Sequence, residues 1–151
     1  MQTSWRCALA WGLFVSLGIG TLVTLAFHLT MYWLAESYLK RVEVPAPEGA
    51  LATTFAVSSV LTGIMERAVF TLLVVAQPTS ALTAMGGWMA IKLAHGWQKA
   101  NPGGIGHLRW TTYGSIGLQT SFLSLAFAAL GGGITRLMMG LDLIAGWPPA
   151  H

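Results

Sequence analysis

The sequence predicts an all-α protein, an integral membrane four-helix bundle in a single domain, and three observations carry that expectation. Apolar residues make up 54% of the 151 positions and charged residues only 9%, against about 25% charged in an ordinary soluble domain. So few charges cannot cover the surface of a soluble chain of this length, so lipid is expected to cover much of it. The apolar residues fall into long runs parted by breaks that carry Pro and Gly. Inside those runs stand a few ionisable side chains, Glu66, Arg67 and Lys92, where charge is costly and is a functional hypothesis by default.

The first span is expected over residues 8–36. After Arg6, an apolar run from Cys7 to about Leu34 is longer than the core of a cleaved signal peptide, and no small-x-small site closes it. Tyr32-Trp33 and Lys40-Arg41 then supply the aromatic and cationic groups that suit a membrane interface. The following VEVPAPEGA, with Pro45, Pro47 and Gly49, reads as a loop. Spans two and three are expected over residues 51–76 and 80–98, joined by a tight Gln77-Pro78-Thr79-Ser80 turn. A break at Lys99–Gly104 and an interfacial His107-Leu108-Arg109-Trp110 lead to the fourth span, residues 114–139. Asp142 and the tail Trp147–His151 lie beyond it.

Lys40, Arg41, Lys99 and Arg109 fall in the loops after spans one and three, and cations gather on the cytoplasmic side. Both termini are therefore expected to be non-cytoplasmic. Scattered basic residues without an aromatic-basic stripe exclude a nucleic-acid partner. The single Cys7 excludes an intramolecular disulfide framework and a clustered-cysteine zinc site, and no metal is expected.

Apolar burial does not hold helices together in lipid, so small and polar residues must let backbones approach. Span one offers Gly12, Ser16, Gly20, Thr24 and His28 at spacing four. Span four offers Thr120, Ser124, Ala128, Gly132, Arg136 and Gly140 at the same spacing. Span two carries two adjacent rows, Ser58-Thr62-Glu66 and Ser59-Gly63-Arg67. These stripes predict the bundle seam, and Gly131-Gly132-Gly133 predicts a point of close contact rather than a kink.

The hairpin Gly63–Lys92 organises the rest. With Thr79 as its tip, Glu66 and Lys92 lie equally far along opposite arms, roughly 20 Å down at the helical rise. That depth is inside the ~30 Å hydrocarbon slab. An unpaired charge at mid-span costs about 2.5–3.5 kcal/mol on insertion scales, so pairing of Glu66 with Lys92 is the economical arrangement, with Arg67 bonded elsewhere. The cluster carries one excess cation, and reflecting Lys92 through the third loop brings Gln119 to its level. An excess cation beside an amide suits an anionic ligand; proton exchange at Glu66, and snorkelling of Lys92, are the other uses of these groups.

The pattern Gly63-x-x-Glu66-Arg67, followed by an apolar hairpin and Ala90-Ile91-Lys92, resembles that of small uncharacterised bacterial multi-pass membrane proteins. The resemblance covers about the central third of the chain. It implies a multi-pass fold without specifying an activity, and the expected location is the bacterial cytoplasmic (inner) membrane. A Glu-Arg pair in the second of four helices is also similar to the membrane-associated eicosanoid and glutathione metabolism family. Where that family places an Asn for glutathione, this chain has Ala68-Val69-Phe70-Thr71-Leu72, so the chemistry does not carry over.

His28 and His95, on parallel spans at similar distances from their helix starts, form the one pair that suits a haem. The competing reading makes His28 a seam hydrogen-bonder and His95 an interfacial residue, and no cofactor is expected. No arrangement of nucleophile, base and orienting group has supporting spacing, so no catalytic residues are assigned. The favoured function is a structural or interaction subunit whose Glu66/Arg67/Lys92 cluster fixes packing or meets a partner membrane protein or a second copy. A proton- or small-anion-conducting subunit, and a haem-binding or lipid-substrate enzyme, are the alternatives.

Overall fold

The computed structural model describes the backbone of residues 4–42, 51–99 and 106–141, and the side chains of residues 4–42, 60–94 and 111–141. The described residues are helical, with no strand among them. They form α1 (Trp5–Arg41), α2 (Leu51–Ala76), α3 (Pro78–Lys99) and α4 (Gly106–Met138). The fold is all-α.

The helix ends follow local chemistry more closely than the apolar runs do. The expected four-residue turn between α2 and α3 shrinks to Gln77 alone. Pro78 takes the first position of α3, where a missing N–H costs nothing. The Gln77 amide still bonds the Leu73 carbonyl at 2.7 Å, and the Gln77 carbonyl accepts from Ala81 N–H at 2.9 Å. α4 starts at Gly106, well before residue 114, and Tyr113 inside it meets α1: its hydroxyl donates to Glu36, and its ring stacks on Tyr32 at 5.3 Å. At the other end Gly140 adopts φ 69°, and Leu141 N–H reaches back to the Arg136 carbonyl at 2.9 Å. That left-handed closure is the ordinary use of a glycine after a helix.

α1 contains one irregular segment, Phe14–Ile19, with π-helical hydrogen bonding. A row at spacing four slips by about 40° per step around an α-helix of 3.6 residues per turn. The wider π turn takes up part of that slip. Ala8, Gly12, Ser16, Gly20 and Thr24 accordingly all stay buried on one line.

α4 is the central helix. It packs along the length of α1 and against both α2 and α3, whereas α3 touches α2 and α4 but, among the described residues, not α1. The α1–α4 contact is set by missing side chains. A Cβ on Gly131 would sit 2.7 Å from Ser16 Cβ and collide with the Gly12 carbonyl; one on Gly132 would sit 2.5 Å from Val74 Cβ in α2. The glycine triplet thus lets α4 approach two helices at once without breaking, since α4 runs on to Met138. An apolar core of Phe70, Val74, Ala81, Met85, Met89, Leu125 and Ala128 fills the space between α2, α3 and α4 nearer the hairpin tip. Towards the other end of α3 that core gives way to polar side chains.

Gly132→Val should lower stability by about 3 kcal/mol or more, because the added atoms meet Val74 and the Thr71 carbonyl rather than space. Gly86, with nothing within 4 Å of its would-be Cβ, is the control: Gly86→Ala should be neutral or stabilising by up to about 1 kcal/mol. Equilibrium unfolding of both purified variants reads the contrast.

Candidate functional site: a charged layer between the helices

Glu66 and Arg67 are neighbours on α2, and one residue of helix turns successive side chains about 100° apart. Each therefore serves a different partner helix. Arg67 is buried and points into the seam between α1 and α4. Its Nη1 donates to Ser124 Oγ at 3.0 Å and to Thr24 Oγ1 at 3.3 Å, and its Nη2 to Thr21 Oγ1 at 3.0 Å. The planar fork of a guanidinium suits this division among three hydroxyls. Gly63 lies beside the guanidinium, and a Cβ there would make ordinary contact with both Nη atoms at 3.8 Å. Ser124 in turn donates to the Gly63 carbonyl at 3.3 Å.

Glu66 turns the other way, towards α3. Its Oε1 pairs with the Lys92 amine, and that amine also donates to Ser121 Oγ of α4 at 2.8 Å. Lys92 Nζ lies 5.6 Å from the centre of the Trp88 ring, within cation–π range. Glu66 is buried, while the Lys92 side chain is 25% exposed. The structure thus brings Glu66, Arg67 and Lys92 into one layer, joined by Thr21, Thr24, Ser121 and Ser124.

Gln119 is placed elsewhere. It is exposed on α4, and Ser121 supplies the hydroxyl that meets Lys92. The expected position is thus two residues away from the one that meets Lys92. Thr21 and Ser121, each three residues before a stripe position (Thr24 and Ser124), were the signals that sequence reasoning passed over.

His28 sits one turn beyond Thr24 and faces α4, with Nδ1 3.4 Å from Thr120 Oγ1. Thr120 donates its own proton to the Ile116 carbonyl at 2.7 Å, so the imidazole N–H is the donor in that contact. The side chain of His95 lies outside the described residues, and the helices that carry the two histidines are not in contact among the described residues. The expected haem pair is therefore not assembled among the described side chains. No group of three His, Cys, Asp or Glu side chains comes together among the described residues to hold a metal.

Further hydroxyl contacts continue the seam. Thr71 donates to Ser16 Oγ at 2.7 Å, and Thr135 lies 3.2 Å from the Ala8 carbonyl and 3.0 Å from that of Gly131. Arg136 is buried and donates to the Val75 carbonyl near the C-terminus of α2 at 2.7 Å. An arginine there also complements the negative end of the α2 dipole.

No protein-family model matches the chain, and no curated protein or solved structure is significantly similar to it. Its function has to be argued from this geometry.

Lys92→Met should cost about 3–5 kcal/mol, because it leaves the buried Glu66 carboxylate without its counter-charge. Glu66→Leu combined with Lys92→Met should recover most of that loss, since apolar replacement of both members of a buried pair is near neutral. A double-mutant cycle on equilibrium unfolding measures the coupling; additive losses would mean that the two groups do not act as a pair.

Proposed function

We propose that the chain is a small integral membrane protein of a bacterial cytoplasmic membrane, acting as a structural or interaction subunit rather than as an enzyme. The observation that carries the reading is an inverted distribution of polarity. Arg67 and Arg136 are 2% and 1% exposed, while Leu22 and Met65, near the middle of their helices, are 70% and 66% exposed. Water would solvate the reverse arrangement, and hydrocarbon solvates this one. Two helices, Trp5–Arg41 and Thr111–Met138, are also long and apolar enough to cross a bilayer.

The structural role follows from where the charged groups are used. Arg67 binds α2 to α1 and α4, Lys92 binds α3 to α2 and α4, and Arg136 binds α4 to the end of α2. Each of these three cations joins helices. The interaction half rests on the outer face of α3, where Thr83, Gly86, Gly87 and Ala90 are exposed. Small residues of that kind let a partner helix, from another protein or a second copy, approach closely. Exposed Lys40 and Arg41 at the end of α1 favour a cytoplasmic position for that end, with both termini on the far side.

The chain expressed in bacteria should remain with the membrane pellet after alkaline carbonate extraction. Glu66→Gln should reduce its thermal stability in mild detergent while proton and anion flux into liposomes stays at background for both forms. Release into the soluble fraction would refute the membrane reading. Flux that the wild type supports and Glu66→Gln abolishes would replace the structural role with transport.

A further inference from the structure

Gln119 is left over by the bundle. The Arg67 layer stands ten residues from the turn at Gln77, about 15 Å along α2 and so near the middle of a ~30 Å hydrocarbon slab. Gln119 precedes Ser124 of that layer by five residues, which puts it about 7.5 Å from the layer and still within the slab. A polar group there is costly without a hydrogen-bond partner. Thr30, Thr83 and Ser115, which are also exposed, give their hydroxyls to carbonyls of their own helices at 2.9, 3.3 and 2.8 Å. Gln119 is exposed and makes no hydrogen bond to any described residue.

The amide belongs to a surface of its own. Ser115, Gln119, Phe122, Ala126 and Leu130 are all exposed and follow one another at steps of four, three, four and four. At about 100° per residue they fall within an arc of about 80°, on the side of α4 turned away from Ser124 and α2. Steps of three and four are the spacing of a seam between two helices, and one polar residue in such a seam sets its register.

The chemistry of the amide selects the occupant. A carboxamide presents a partly positive N–H donor beside a partly negative oxygen acceptor. Its complement in charge is a second carboxamide turned by half a rotation, so that each gives one N–H and accepts one. Copies of a single chain enter the bilayer in the same orientation. Two α4 helices related by a two-fold axis along the membrane normal therefore run parallel and bring residue 119 against its own copy. Ala126, two turns farther along the row, leaves the backbones room to approach.

We propose that two copies of the chain pair through this face of α4, with the Gln119 amides exchanging hydrogen bonds across the two-fold axis and Ala126 at the close approach. The pairing rests on the membrane reading above, and carbonate extraction tests that reading independently of any association.

Oxidative cross-linking of the full chain in membranes of the expressing cells, in a Cys7→Ala background, tests the surface. Ala126→Cys should give a product of twice the chain mass, whereas Met65→Cys, 66% exposed on α2, should not. Sedimentation equilibrium in mild detergent tests the amide. Gln119→Leu should weaken dimerisation about three- to tenfold, and Gln119→Asn, which keeps the carboxamide, by less. Thermal unfolding of the dilute monomer should be unchanged in Gln119→Leu, which separates lost pairing from lost fold. Cross-linking through Gly87→Cys in place of Ala126→Cys would seat the second copy on α3, and a product of another mass would make the occupant a different protein. Either result would overturn the proposal, as would a monomer in both experiments or dimerisation that Gln119→Leu leaves unaltered.

Discussion

A guanidinium shared among three hydroxyls from two other helices is the interaction on which the bundle depends. Arg67 cannot be withdrawn from its site without leaving a charge in apolar surroundings, and it cannot stay there unless α1 and α4 stand close enough to present Thr21, Thr24 and Ser124. That closeness is what the glycines secure. Gly12, Gly20 and Gly131 have no room for a side chain between α1 and α4, and Gly132 has none against α2. Small residues and buried charge are therefore two halves of one arrangement: the first brings the backbones together, and the second makes their separation costly.

α3 is held differently. Among the described residues it lacks contact with α1, and it joins the other helices through an apolar core near the hairpin tip and through Lys92 farther along. The single residue Gln77 between α2 and α3 fixes the hairpin register at one end. The Glu66–Lys92 pair fixes it at the other. Between these points Thr83, Gly86, Gly87 and Ala90 on the outer face of α3 are exposed among the described residues.

Much of this was legible in the residues themselves. The all-α class followed from four apolar runs and their Pro and Gly breaks, and the α1 and α4 stripes named most of the seam. Symmetry about Thr79 paired Glu66 with Lys92; the turn lies at Gln77 with Thr79 inside α3, and the pair still forms because the long lysine side chain takes up the offset. Gln119 was expected beside Lys92 by counting through the segment between α3 and α4, and Ser121 takes that place instead. Thr21 escaped notice because it lies outside the spacing-four row. The π turn at Phe14–Ile19 has no signature in composition, and it decides how that row continues around α1.

The central claim is that charge lies inside the bundle and hydrocarbon outside it. Spin labels at single cysteines replacing Met65, Val69 and Thr71, in a Cys7→Ala background reconstituted in bilayers, test it most directly through relaxation by oxygen and by a water-soluble nickel chelate. Strong oxygen and weak chelate contact at positions 65 and 69, with little of either at 71, is the predicted result. Strong chelate contact at positions 65 and 69 would place water where the account requires lipid, and would contradict it.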